Sequence, residues 1–377
     1  MAKRKLSNRQ QARIAKDQRA RAGDAESLET GLVIAHYGNE VEVLPINARG
    51  DIIVAPDQPA ASPPASQARR CKLRANLPLV VCGDRVAWRE ATDSTGSAVV
   101  EALQPRESVI LRPRPHSDAK PIAANIDLVL LVFSPEPAPI ANLLDRYLIA
   151  AANANIPAAL LLNKSDLLGA GQAGAAHSAE IASLTTLYSE LGYPVYHYSA
   201  LAESQPARND RAACGAPGKG RANETPGNIV ADYFDAEKVL NGKTAILVGQ
   251  SGVGKSSIIN ALYREHVAAT GDISSANVKG RHTTTNARLY FLEQSDAAEP
   301  SALIDSPGIR EFALWHLSAQ DIIEGMPEFF EKTLQCKFRD CEHGVSAGCA
   351  LQAAIENGEI HPSRVASYRH ILATREI

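Results

Sequence analysis

The sequence predicts a multidomain α/β chain: a small β-barrel, a parallel-sheet domain, and a helical C-terminal segment around a Cys/His cluster. Three observations predict it. Short β-like runs fill residues 31 to 105, aliphatic runs alternate with helical stretches from Ile126 onward, and three of the six cysteines crowd between Cys336 and Cys349. Before these elements the chain opens on a basic stretch. Within residues 1–23, Lys3, Arg4, Lys5, Arg9, Arg13, Lys16, Arg19 and Arg21 face the single acid Asp17, in a chain of net charge -3. Residues 1–25 are read as a basic flexible arm, and a cationic arm on an acidic body points to a polyanionic partner.

The β-like runs are Leu32–Ala35, Val41–Leu44, Ile52–Val54, Leu79–Val81 with Val86–Trp88, and Ala98–Val100. Five short strands with Gly and Asp at the turns fit a Greek-key barrel such as an OB-fold over residues 26–112. Within it, residues 55–68 form a Pro/Ala/Ser-rich loop. Residues 113–315 carry the α/β pattern. Buried strands are expected at 127–133, 158–162, 193–198, 244–248 and 301–304, a helix at 140–152, and a flexible insertion at 203–226. Residues 316–377 read as helical and metal-binding. At 45% hydrophobic and 21% charged, the 377 residues match an ordinary soluble protein. No apolar run approaches the roughly 18 residues a membrane span needs, and no hydrophobic segment follows the basic start, so a cytoplasmic protein without a membrane partner is expected.

The densest chemical signal follows the strand at 244–248. Gly249-Gln250-Ser251-Gly252-Val253-Gly254-Lys255-Ser256 matches GxxxxGK[ST], and Ser257 leads into a helical stretch. Glycines let backbone N–H groups curl around phosphates, and the helix N-terminus adds its positive end. Lys255 is expected to reach the β- and γ-phosphates and Ser256 to hold Mg²⁺. Asn163-Lys164-Ser165-Asp166 ends the strand at 158–162, where a parallel sheet presents ligand contacts. The Asp166 carboxylate can accept from the guanine N1–H and 2-amino group. Adenine offers neither donor, so this contact selects GTP and GDP. Asn163 is expected to order the neighbouring loops, the Lys164 stem to lie along the base, and the backbone of Ser199-Ala200 to touch the guanine O6.

Asp305-Ser306-Pro307-Gly308 matches DxxG, with Asp305 directed at Mg²⁺ through water and the Gly308 N–H at the γ-phosphate. Upstream lies Gly280-Arg281-His282-Thr283-Thr284-Thr285, in which Thr283 or Thr284 completes the Mg²⁺ shell. Ile309 follows DxxG where a water-orienting Gln would serve, so another group must position the attacking water. His282 is the nearest candidate. Cys336-x4-Cys341-x-His343-x5-Cys349 supplies three thiolates and an imidazole, a set suited to one closed, structural zinc site.

In ordinary GTPases the phosphate loop precedes the base-reading motif. Here the order is NKxD, SA, phosphate loop, Thr loop, DxxG, so the α/β domain is a circularly permuted P-loop GTPase domain. That order, with a barrel before it and Cys/His residues after it, resembles the RsgA (YjeQ) family of ribosome-biogenesis GTPases over about residues 31–370. The resemblance implies an OB-fold, a permuted GTPase domain and a C-terminal zinc domain. It implies a monomer that acts on the small (30S) ribosomal subunit and its 16S rRNA, and it supports His282 as a catalytic residue beside Lys255. Ser306 stands where that family usually has Thr, and against the resemblance the arm and the two inserts look peculiar to this chain. A different reading is an RNA-binding scaffold or translation regulator that uses GTP as a switch with little hydrolysis.

Overall fold

In the computed structural model, the described residues are 28–47, 52, 67–90, 98–114, 117–168, 171–201, 231–262, 287–292, 301–305, 314, 317–339, 341–343 and 348–375. The basic arm, the insertion at 203–226, most of the loop at 55–68, the Thr loop and Gly308 lie outside them.

The barrel is built from β1 (Glu29–Tyr37), β2 (Glu40–Ile46), β3 (Arg69–Leu73), β4 (Arg85–Arg89) and β5 (Ala98–Leu103). They pair in the order β1-β2-β3-β5-β4, and β4 closes back on β1. Alternation is plain in β5, where Ala98, Val100 and Ala102 point inward. The interior holds Val33, Val41, Val43, Cys71, Val86 and Trp88. Gly31 makes room for the indole, because a Cβ there would sit 2.2 Å from Val43 and 2.9 Å from Trp88.

Two expected strands differ in the structure. In the expected run at Ile52–Val54, Ile52 makes only an isolated bridge to Ile46, and residues 53 and 54 lie outside the described set. The third barrel strand is instead Arg69–Leu73, in which Cys71 alone is fully buried. Leu79–Val81 is not a ladder strand. Its backbone turns around Asp84, whose carboxylate accepts from Val81 N–H at 2.7 Å while its own N–H donates to Val81 O. Arg106 holds that buried carboxylate with two bonds, at 2.7 and 2.8 Å.

A hairpin of β6 (Val109–Arg114) and β7 (Ser117–Ala124), absent from the sequence reading, leads into the α/β domain. Its strands are β8 (Leu128–Phe133), β9 (Ala158–Leu162), β10 (Val195–His197), β11 (Asp232–Tyr233), β12 (Thr244–Val248), β13 (Arg288–Phe291) and β14 (Ala302–Asp305). They lie in the order β11-β10-β9-β8-β12-β14-β13, all parallel except β13. Every residue of β8 is buried, as a strand covered on both faces requires. The helices are α1 (Ala141–Asn153), α2 (Gly171–Glu190), the short α3 (Ala236–Val239) and α4 (Lys255–Leu262).

β13 also pairs with β1 of the barrel, so one sheet runs through both units. A bulge at Ile34 makes this possible. Residues 29–32 of β1 pair with β4, and beyond the bulge Ala35 pairs with Arg288. Ile34 itself is buried in a core shared with Leu289, Phe291 and Ile304.

The C-terminal helices are α5 (Ala319–Glu324), α6 (Pro327–Thr333), α7 (Ala350–Glu356) and α8 (Pro362–Arg375). A capping box of Ser318 and Asp321 starts α5. Ile322, Met326, Phe329, Leu351 and Ile371 form their core, into which Ile149 of α1 projects. The contact with α1 also contains charge. Arg364 of α8 and Asp145 of α1 form an ion pair with side chains 2% and 1% exposed. The Glu328 carboxylate accepts from Arg364 Nε at 2.6 Å, and Tyr188 Oη donates to Asp145 at 2.6 Å. Burial opposes the charge on Arg364, but Asp145 and Glu328 outweigh it and push its pKa up.

Candidate nucleotide site and metal centre

The central strand β12 delivers the chain into residues 249–254, and α4 begins at Lys255, two residues before the expected start. Gly249, Gly252 and Gly254 have φ of 143°, 86° and 91°, in the region that favours glycine. Space excludes a side chain at two of them. A Cβ on Gly249 would lie 2.1 Å from Val132 O at the end of β8, and one on Gly254 would lie 2.4 Å from Asn163 Nδ2. Lys255 Nζ folds over the loop and donates to Gly249 O at 2.7 Å and Gln250 O at 2.9 Å. Ser251, Ser256 and Ser257 are exposed around the loop, while Val253 is buried beneath it.

Asn163 binds three motifs together. Its buried amide donates to Val253 O at 2.8 Å and accepts from Ala200 N–H at 3.3 Å. Lys164, in a left-handed conformation with φ of 58°, reaches across and donates to Gly252 O at 2.8 Å and Glu136 O at 2.6 Å. Asp166, in a single 3-10 turn at Ser165–Leu167, is exposed and accepts from Ser199 Oγ at 2.5 Å. Ser165 donates to Tyr198 O from both its amide and its hydroxyl. The NKxD, SA and phosphate-loop segments thus form one constellation at the C-terminal ends of β9, β10 and β12.

Asp305 ends β14 opposite Leu247, one strand from the phosphate loop. Burial pushes its carboxyl pKa up, and the nearby Lys255 ammonium pulls it down by less. His282, Thr283, Thr284 and Gly308 lie outside the described residues. Two supports of the site escaped the sequence reading. The loop after β8 brings Glu136 to Lys164 and Pro137 beside Gly252. Tyr147 of α1 bonds the Gly249 backbone, with its own ionisation pushed far up by burial. Prolines directly after a buried strand at its C-terminal edge were the available signal for the first; an aromatic on a helix carries none for the second.

In the C-terminal domain, the ligand atoms of Cys336, Cys341, His343 and Cys349 lie within 4.8 Å of one another. Cys336 Sγ is 3.6 Å from His343 Nδ1. Burial opposes the Cys336 thiolate, yet N–H donors of Ala350 and Leu351 bring its pKa down overall. Burial lowers the His343 pKa and favours the neutral, ligating imidazole. Three thiolates and one imidazole converging on a point fit a tetrahedral zinc ion.

The RsgA GTPase family model matches residues 103–209 and 230–315. A Pseudomonas putida protein named small ribosomal subunit biogenesis GTPase RsgA is 40% identical over 390 residues, covering 99% of this chain and 98% of its own length. The chain belongs to the RsgA GTPase family. It is therefore a GTP hydrolase with a permuted α/β domain between an OB-like barrel and a Cys/His domain. The Pseudomonas aeruginosa relative of the same name is 41% identical over the same span. Among solved structures, YjeQ from Thermotoga maritima superposes with a TM-score of 0.59 at 25% identity, over 92% of this chain and 98% of that one. YloQ, described as a circularly permuted GTPase, superposes with a TM-score of 0.58 at 22% identity, over 94% of this chain and 96% of that one. No helix among the described residues is long and apolar enough to cross a membrane.

Proposed function

We propose that this chain binds the small ribosomal subunit, assists its late maturation, and hydrolyses GTP to GDP faster when bound there. The observation that carries the reading is near-full-length identity of 40% to relatives named for that task. The site supplies the chemistry. Asp166 reads the guanine edge, with the Lys164 stem along the ring, the Ser199-Ala200 backbone at O6, and Asn163 holding the three loops in register. The N–H groups of residues 249–257 and the Lys255 ammonium bind the phosphates. Lys255 Nζ now rests on Gly249 O and Gln250 O, positions from which a short swing reaches a phosphate.

Mg²⁺ neutralises charge between the β- and γ-phosphates when bound, and Ser256, Asp305 and one of Thr283 and Thr284 would hold it. Gly308 senses the γ-phosphate, and His282 orients the attacking water. One structural zinc held by Cys336, Cys341, His343 and Cys349 fixes the C-terminal domain. The protein works as a monomer in the cytoplasm and touches 16S rRNA. Multiple-turnover GTP hydrolysis with and without purified small subunits tests the reading. Turnover should rise with the subunit; slow turnover in both conditions would leave a GTP-switched scaffold as the better account.

A further inference from the structure

We propose that Tyr147 is a positioning residue for the nucleotide's phosphates: it fixes the entry of the phosphate loop, and α1 makes that hold depend on the C-terminal domain. This rests on the reading of residues 249–257 as the phosphate site and adds a route of control to it.

Gly249, the first residue of the loop, is gripped from two sides. It sits so close to β8 that a Cβ would lie 2.1 Å from Val132 O. From α1, the hydroxyl of the buried Tyr147 bonds its backbone. That bond favours the ionised phenol, against the larger and opposite effect of burial, so the Gly249 N–H is the donor. An N–H committed to a phenol does not turn to a phosphate. Its bond instead fixes the direction in which the chain leaves β12, and with it the aim of the N–H groups that follow.

The other side of α1 belongs to the C-terminal domain. Arg364 pairs with Asp145 there, Arg146 donates to Thr374 Oγ1 at 2.6 Å, and Asn153 donates to Asp321 O at 3.0 Å. Ile149 lies against Gly325, the residue after α5. A Cβ at 325 would sit 2.9 Å from Ile149 Cγ2 and 3.0 Å from its Cα. Gly325 has φ of -77°, which any residue adopts, so this position needs a glycine for room and not for conformation. At roughly 100° per residue, positions 145, 146, 149 and 153 share an arc of about 100°, and position 147 lies about 150° from its centre. The C-terminal domain therefore grips α1 on one face while the opposite face touches the loop. The Tyr147 hydroxyl stands roughly 8 Å from the helix axis, where a turn of ~5° moves it about 0.7 Å, enough to break a hydrogen bond.

The test uses the full-length protein as wild type, Tyr147→Phe, Gly325→Ala and the double variant, with Lys255→Ala as the reference for a damaged phosphate site. Affinities for GDP and a non-hydrolysable GTP analogue are measured by calorimetry, with KM and kcat for GTP and thermal unfolding in parallel. Phenylalanine keeps the buried ring and removes only the hydroxyl. Tyr147→Phe should weaken GDP and the analogue by about fivefold, and should raise KM by more than it lowers kcat. Gly325→Ala, remote from the nucleotide, presses on α1 and should weaken both ligands by about threefold or more. Because that pressure acts through the hydroxyl, the double variant should bind no more weakly than Tyr147→Phe alone. Should Gly325→Ala melt early, Thr374→Val, which only removes the bond from Arg146, carries the same comparison. Wild-type affinity in Tyr147→Phe overturns the positioning role. Losses that multiply in the double variant, or wild-type affinity in a folded Gly325→Ala, overturn the route through α1. Lys255→Ala binding nucleotide as well as wild type would reject the phosphate site itself, and the proposal with it.

Discussion

Asn163 and Asp166 lie three positions apart and do different work, and their substitutions should separate. Asp166 is exposed and, on the proposed reading, meets the base, so Asp166→Asn should weaken GTP binding by about 100-fold or more and favour xanthine nucleotides, whose 2-oxo group suits an amide donor. Competition binding with guanine and xanthine nucleotides checks this, and unchanged GTP affinity would remove the basis for base specificity. Asn163 is buried and meets protein, bonding Val253 O and Ala200 N–H. Asn163→Ala removes both bonds, at about 1–3 kcal/mol. It should weaken GTP and GDP equally without admitting xanthine nucleotides. Lys255→Ala should reduce both affinity and turnover, while His282→Ala should spare affinity and cut subunit-stimulated turnover. Wild-type hydrolysis by His282→Ala would assign water positioning to another group.

At the scale of elements, α1 mediates between domains. It touches the phosphate loop through Tyr147 and the C-terminal helices through Asp145 and Ile149. Asp145→Ala leaves Arg364 with Glu328 as its remaining carboxylate and takes the acceptor from Tyr188 Oη, which should destabilise by about 1–3 kcal/mol. Thermal unfolding should show the C-terminal domain loosening first, with protease sensitivity rising beyond residue 317. Cys341→Ala should lose the roughly one zinc per chain that elemental analysis should find in the wild type, and nucleotide binding should survive.

Legibility in the sequence follows the same physics. β12 was legible because Ala245–Val248 is a continuous aliphatic run before a glycine-rich loop, and β8 because Leu128–Phe133 is a continuous apolar run. β3 was not, since Arg-Arg-Cys-Lys-Leu offers one fully buried residue and one partly buried leucine among three exposed charged side chains. The hairpin β6–β7 contains Pro113 and Pro121, which mask its pairing. The motifs of the site were readable because each is local. What joins them was not: the bond from Asn163 to Val253 spans 90 residues, and that from Arg364 to Asp145 spans 219. No periodicity records a contact of that reach.

For the whole molecule, barrel, α/β domain and Cys/His domain meet around the nucleotide site from different sides. The barrel joins at β13, just after the Thr loop, and the C-terminal domain joins at α1. A nucleotide that engages Asp305 should therefore act on the barrel through β14 and β13, and on the C-terminal helices through α1. A non-hydrolysable GTP analogue should tighten binding to small subunits relative to GDP, and by linkage the subunits should raise analogue affinity by the same factor. Sedimentation at matched salt measures both. Removing residues 1–25 should weaken both complexes and flatten their salt dependence, leaving the nucleotide effect in place. Equal affinity with GDP and analogue would reject the switch.

The bulged strand β1 has a further consequence, in the time order of synthesis. Ala35 is made 253 residues before Arg288, the residue it pairs with. At bacterial translation rates of about 5–20 residues per second, the barrel waits roughly 10–50 s for its neighbour. Over that interval the outer half of β1 is an uncovered edge, and Ile34 lacks the β13 side of its core. β8, β9 and β10 likewise emerge before β12, the strand that sits between β8 and β14. The nascent chain should accordingly remain open to protease at residues 33–37 until residues 288–305 have left the ribosome, and then close in one step. Pulse proteolysis of chains stalled on either side of that length would record the transition.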